Sequence, residues 1–246
     1  MFARIVLAIV PALWLAAAVV HADTLPLPQG LIDLRSEQGE ELLRDGDALE
    51  AYVPLSGSFV TQETQAFCGV ASMVTVLNAL GVPAPMSAEY APYRTFTQDN
   101  LLDERTEAIL PRATLLKQGM TLDELGRILA LHPVEVEVHH AADSSLDAFR
   151  SAASEHLGEE GRAVIVNFLR EGLGQQRGGH HSPLAAYSAK TDRFLILDVA
   201  RYKYPPVWVS ASRLFDAMNT PDHANEDRTR GYVLIRAAAS GATKLN

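Results

Sequence analysis

The 246-residue chain has a single cysteine, Cys68. A thiolate is a strong nucleophile, and a thiol becomes one when its pKa falls, as it does at a helix N-terminus. From Phe67 to Leu80 apolar residues recur densely (Val70, Met73, Val74, Leu77, Leu80), and Gly81 and Pro83 follow as stop signals. The spacing predicts a helix with Cys68 in its first turn. Gly69 would leave the approach to the sulfur open. Acyl transfer at such a thiol needs three further groups. An imidazole must lower the thiol pKa and protonate the leaving amine. A third side chain must fix the imidazole tautomer. Donors must meet the tetrahedral oxyanion, and the Cys68 backbone N–H with one side-chain amide would serve.

Each part is present. Gln62 lies six residues before Cys68. His180 stands in Gly178-Gly179-His180-His181-Ser182-Pro183, at the start of a strand. Asp198 closes the apolar run Phe194-Leu195-Ile196-Leu197. Two neighbouring antiparallel strands would set His180 beside Asp198. Taken singly, each feature is ordinary. A buried inert Cys is common, a His in a strand is more often structural, and an Asp after a strand is usually a turn signal. Together and in this order they point to a cysteine acyltransferase or hydrolase. His180 and His181 should face opposite sides of their strand, so the alternation predicts that only one serves Cys68.

The surrounding elements divide the chain. Residues 23–45 read as a lead-in and 46–60 as loop. Residues 86–132 read as mainly helical, with a segment near Asn100–Ile109 and another at Thr121–Leu131, where Thr121 and Glu124 make a capping box. The period then changes: Val134 to Val138 alternates strictly, as a half-buried strand does. Ser145–Leu157 reads as a helix and Arg162–Leu169 as an apolar strand. Further strands are expected at His181–Ala189, Phe194–Val199, Val207–Val209 and Gly231–Ile235, with a mobile connection at Gly172–Gly179. Helices over about 57–131 and strands over about 134–236 make an α+β protein: a helical lobe packed on a mostly antiparallel sheet, in one domain over 23–236, with a tail at 237–246.

Residues 1–22 form a separate unit. Met1-Phe2-Ala3-Arg4 is basic, Ile5 to Val20 is apolar, and Val20-His21-Ala22 suits a signal peptidase. A cleaved export signal and a periplasmic location are expected; the alternative is a retained anchor, for which the apolar run is short. No membrane insertion is expected after cleavage. The net charge of −9 argues against nucleic acid as a partner. A lone thiol in an oxidising compartment forms no internal disulfide and is exposed to oxidation, so its presence there suggests use.

The order Cys, His, carboxylate, with Gln six residues before Cys, resembles that of papain-like enzymes. Longer motifs are more specific. Gln62-Glu63-Thr64-Gln65-Ala66-Phe67-Cys68-Gly69-Val70-Ala71-Ser72, followed by Val76-Leu77-Asn78-Ala79-Leu80, resembles the nucleophile segment of phytochelatin synthases. Gly179-His180-His181-Ser182-Pro183-Leu184-Ala185-Ala186-Tyr187 resembles their histidine segment. Asp192 to Trp208, reading DRFLILDVARYKYPPVW, resembles their aspartate segment. Asn167-Phe168-Leu169-Arg170 and Arg230-Gly231-Tyr232 also fit. The similarity covers roughly residues 45–236.

The resemblance implies a papain-like fold and a Cys68–His180–Asp198 triad, with Gln62 in the oxyanion hole. It selects His180, which directly follows Gly179 and stands two before Ser182-Pro183, and leaves His181 to packing or the surface. It implies glutathione as substrate: Cys68 attacks the Cys–Gly amide, glycine leaves, and a γ-glutamylcysteinyl thioester remains. Water then gives γ-glutamylcysteine, and a second glutathione gives phytochelatin. The sequence resembles short bacterial members without the Cys-rich C-terminal extension of plant enzymes, which favours hydrolysis over synthesis. The substrate's carboxylates call for cations, and Arg170, Arg201 and Arg230 fall in the similar segments, with Asn167 and Gly179 as further binding candidates. No metal site or tightly bound cofactor is expected; cadmium or zinc would act through a metal–glutathione thiolate acceptor. A homodimer is implied by the resemblance alone. Two other functions compete: a papain-like peptidase acting on other peptides, and a non-catalytic exported thiol protein that binds glutathione or metal.

Overall fold

The structure, a computed structural model, describes residues 24–238. The expected leader at 1–22 and most of the expected tail lie outside the described residues. The helices are α1 (Glu37–Arg44), α2 (Tyr52–Gly57), α3 (Cys68–Ala79), α4 (Glu104–Ile109), α5 (Arg112–Gln118), α6 (Leu122–Leu129), α7 (Leu146–Leu157) and α8 (Ala211–Met218). The strands are β1 (Ile32–Asp33), β2 (Val134–His140), β3 (Arg162–Leu169), β4 (Gly179–Ser188), β5 (Arg193–Ile196), β6 (Val207–Ser210) and β7 (Gly231–Ala237). The strands form one antiparallel sheet in the order β1-β6-β5-β4-β3-β7-β2. The fold is α+β, in keeping with a papain-like domain.

The centre of the sheet follows from composition. Ala163-Val164-Ile165-Val166 is an unbroken apolar run, mostly β-branched, and all four are buried. β4 is buried from His180 to its end, so both of its faces are covered. α3 and α2 pack on β4, and α7 and α8 pack on β3. Phe149 of α7 fixes its helix on the sheet by meeting Phe194 of β5 and Tyr232 of β7.

Local signals explain most helix starts. Ser145 caps α7 by accepting from Ala148 N. Thr121 and Glu124 form the expected capping box of α6. Asp103 accepts from the N–H groups of Arg105 and Thr106, so α4 starts there. The preceding residues, where the sequence suggested helix from about Asn100, instead form a turn in which Asn100 Oδ1 accepts from Thr97 N.

The division into helical and sheet halves is incomplete. β1 precedes the helices, and α7 and α8 lie among the later strands. α1 and α2 occupy stretches expected as lead-in and loop. The connection expected to be mobile is tied down: Arg170–Leu173 is a 3₁₀ turn, and Gln175 is buried with its Oε1 accepting from Arg170 Nη1.

Candidate active site

α3 begins at Cys68, and no side chain caps its N-terminus. The free N–H groups of its first turn therefore remain available to negative charge near the sulfur. Cys68 is buried and packs with Ala71 and Val199. Val199 belongs to the segment that follows β5, so the aspartate segment reaches the nucleophile directly.

β4 brings one histidine to the sulfur and holds the other on Asp198. His181 Nδ1 is 3.7 Å from Cys68 Sγ. His180 turns its Nε2 to Asp198 Oδ1, at 2.8 Å, and to Ser182 Oγ, at 3.0 Å. The strand alternation holds, because the register pairs His181 with Asn167 and His180 with Phe168. Of the two, His181 is the one within hydrogen-bonding distance of Sγ, whereas the resemblance placed His180 there and left His181 to packing or the surface. β5 accompanies β4 only from Leu184 onward, so the start of β4 is open on that side. His180 meets Asp198 there, and its imidazole helps to lower the thiol.

The charges are strongly coupled. Burial pushes the Cys68 thiol up, but the imidazoles of His180 and His181 outweigh it and hold it well below the usual thiol range. Burial pushes His180 down, and Asp198 outweighs it, so the imidazole lies above its ordinary value. Burial also pushes Asp198 up, and His180 with Arg170 holds that carboxyl far below the usual range. These shifts favour a thiolate–imidazolium pair. With Nε2–H donating to Asp198, Nδ1 is the His180 nitrogen left to exchange a proton.

Arg170 is placed differently from the sequence expectation. Its Nη1 and Nη2 donate to Asp198 Oδ2 and Oδ1 at 2.9 and 3.0 Å, and its guanidinium lies 5.2 Å from the Tyr204 ring centre. It is buried, and its fork is spent on Asp198 rather than open to a substrate carboxylate. Ala200 N adds a further bond to Asp198 Oδ1, at 2.9 Å. Arg201 is also elsewhere. It lines a second cavity, of about 440 Å³, with Arg35, Tyr52 and Phe59, and Cys68 takes no part in that cavity.

The cavity over Cys68 has a volume of about 310 Å³. Asn167, Gly179, His181, Asp222, Arg230 and Lys117 contribute to its wall. Three of the expected binding residues, Asn167, Gly179 and Arg230, thus converge on the thiol. Arg230 Nη1 donates to Pro221 O and Thr220 Oγ1, at 2.5 and 3.2 Å, while its buried Nε has no partner. Gly179 lies against this guanidinium: a Cβ there would stand 3.2 Å from Arg230 Nε. Lys117, Asp222 and His181 were not assigned to the site from sequence. Lys117 and Asp222 carry no local signal, for they are polar residues beside a helix end and a turn. His181 was visible as half of the His pair.

Gln62 is buried, and its backbone N–H donates to Val199 O at 3.0 Å. Its Nε2 donates to Thr64 O at 2.7 Å and faces Tyr202 Oη at 3.2 Å; its Oε1 has no partner. The amide is thus anchored to the segment that packs on Cys68.

A family model described as phytochelatin synthase matches residues 22–232. The chain is 35% identical over 224 residues to glutathione gamma-glutamylcysteinyltransferase 3 of Lotus japonicus, covering 90% of this chain and 45% of that protein. It is 32% identical to glutathione gamma-glutamylcysteinyltransferase 1 of Arabidopsis thaliana, covering 90% and 44%. The glutathione gamma-glutamylcysteinyltransferase of Schizosaccharomyces pombe is 30% identical, with 85% and 50% covered. The chain spans about half the length, or less, of these relatives.

Proposed function

The chain belongs to the phytochelatin synthase family, and from that premise we propose that it opens the Cys–Gly amide of glutathione by acyl transfer to Cys68. The observation that carries the proposal is the 2.8 Å contact of His180 with Asp198, beside a thiol held well below its usual range at a cavity wall. Cys68 Sγ attacks the carbonyl carbon. The Cys68 backbone N–H and the Gln62 amide receive the oxyanion, with the substrate replacing Tyr202 at one Gln62 hydrogen. His180 gives its proton to the departing amine, glycine leaves, and the γ-glutamylcysteinyl thioester remains.

The cavity wall suits a zwitterionic γ-glutamyl group. Arg230, through its unpartnered Nε, and Lys117 supply positive charge, and Asp222, which also pairs with Arg230 Nη2 at 3.5 Å, supplies the acidic partner for an α-ammonium. A cavity near the small end of ligand pockets suits one glutathione better than two. That supports water as the main acceptor and a second glutathione as the weaker one. Cadmium or zinc then enters as a thiolate complex of the acceptor. Residues 1–22 suit a signal for export to the periplasm; among the described residues no helix is long and apolar enough to cross a membrane.

The test is product analysis with purified protein and glutathione, with and without cadmium. Glycine and γ-glutamylcysteine should accumulate, with phytochelatin a minor product, and Cys68→Ser should yield none. Cleavage of unrelated peptides with glutathione untouched would instead identify a general peptidase.

A further inference from the structure

Two imidazoles lower one thiol, His181 from 3.7 Å, and each has its own polar partner. His180 is tied to Asp198. His181 is tied to Asn167, whose Nδ2 lies 2.7 Å from His181 Nε2. Both His181 and Asn167 are buried, and both line the cavity over Cys68. Asn167 Oδ1 is buried without a partner. Nδ2 also lies 3.2 Å from His181 Nδ1, and a half-turn of the amide sets Oδ1 at this edge of the ring, where it accepts from Nε2–H. His181 then carries its lone pair on Nδ1, the nitrogen 3.7 Å from Cys68 Sγ.

We propose that the two histidines divide the two halves of the reaction, His180 serving exchange of amines at the acyl group and His181 serving its hydrolysis. The inference rests on the thioester reading above. The acyl carbon bonded to Sγ lies one bond from the sulfur, so a water beside it falls within reach of His181 Nδ1. Nδ1 takes one proton of that water as its oxygen bonds to the carbonyl carbon. The C–S bond then breaks, its electron pair returns to Cys68 Sγ as thiolate, the new carboxylic acid loses its proton to solvent, and the proton on His181 passes through solvent to His180, which restores the imidazolium that glycine's departure had neutralised.

Microscopic reversibility gives the division its logic. Glycine leaves by taking a proton from His180, so an amine acceptor must return by the same path and give its proton to His180. Water has no such obligation. It enters through the cavity, where His181 and Asn167 form the wall. An imidazole at this position therefore biases the thioester toward water, and an apolar ring there would remove the bias.

The experiment measures two rates in wild type, His181→Phe and His181→Gln. One is γ-glutamylcysteine formation from glutathione. The other is exchange of isotopically labelled glycine into glutathione, which runs through the thioester without water. The expected result is a fall of roughly tenfold or more in hydrolysis in both variants, as loss of a general base gives. Labelled-glycine exchange should fall less than hydrolysis, by the share His181 contributes to lowering the Cys68 thiol, and what remains shows that the variants fold and acylate. Hydrolysis equal to wild type overturns the proposal. So does a parallel loss of hydrolysis and exchange in both variants, since acylation would then need the His181 ring. A wild type that neither releases nor exchanges glycine would instead refute the glutathione reading itself.

Discussion

Asp198 accepts from His180 at 2.8 Å while Arg170 closes on the same carboxylate with both of its Nη groups. The carboxylate therefore has two jobs that mutation can separate. It orients the imidazole, and it neutralises a buried cation.

Asp198→Asn should keep much of the geometry and lose the charge. Glycine release should fall roughly 10²- to 10⁴-fold, the range for a mis-set catalytic imidazole. Steady-state kinetics with glutathione read this, and KM should change far less than kcat.

Arg170→Met should act mainly on stability. It leaves a buried carboxylate with His180 and the Ala200 N–H but no guanidinium, and breaking a buried pair costs about 3–5 kcal/mol. Denaturant unfolding measures this. If Arg170 bound substrate directly, KM would rise with stability unchanged.

Glycine release should follow a bell in pH. The acid limb reports formation of the Cys68 thiolate and should lie below the ordinary thiol range, because the thiol is depressed. The alkaline limb reports loss of the His180 proton and should lie above the ordinary imidazole range, because that group is raised. Stability carries the opposite signs from the two partners. The Asp198 contribution is complete above the unfolded carboxylate value of about 3.9 and is lost as pH falls toward its depressed folded value. The His180 contribution is complete below about 6.5 and is lost as pH rises through its raised folded value.

Gly179→Ala should press on the Arg230 guanidinium, 3.2 Å from the added carbon. KM for glutathione should rise several-fold with a smaller change in kcat. Arg230→Met should raise KM by about 10- to 100-fold, the worth of a hydrogen bond to a charged group. An unchanged KM in both would remove Arg230 from the binding wall.

Much of this arrangement was legible in the sequence. Arg162–Leu169 shows itself as a strand through its apolar run, and Thr121 with Glu124 marks the start of α6. Cys68, Gln62, His180 and Asp198 stand out by residue type and order. Other parts gave no local signal. α1 has five polar or charged residues in eight, and it stays in place through the Ser36 cap and the buried Leu42. α8 does have helical spacing in Ala211, Leu214 and Met218, but it follows β6 without a break, with Ser210 ending the strand and capping the helix. Arg170 could not be assigned to Asp198 from sequence, because 28 residues and a strand crossing separate them. Arg201 lies in a matching motif, yet position in a motif does not say which cavity a side chain faces.

The most direct measurement is intact-mass detection of the acyl-enzyme. The protein is mixed with glutathione and quenched in acid within the first turnover. One γ-glutamylcysteinyl group should appear on Cys68, matched by one equivalent of glycine, in wild type. His180→Ala should show neither. Equal thioester formation in wild type and His180→Ala, or an adduct that persists in Cys68→Ser, would contradict the account.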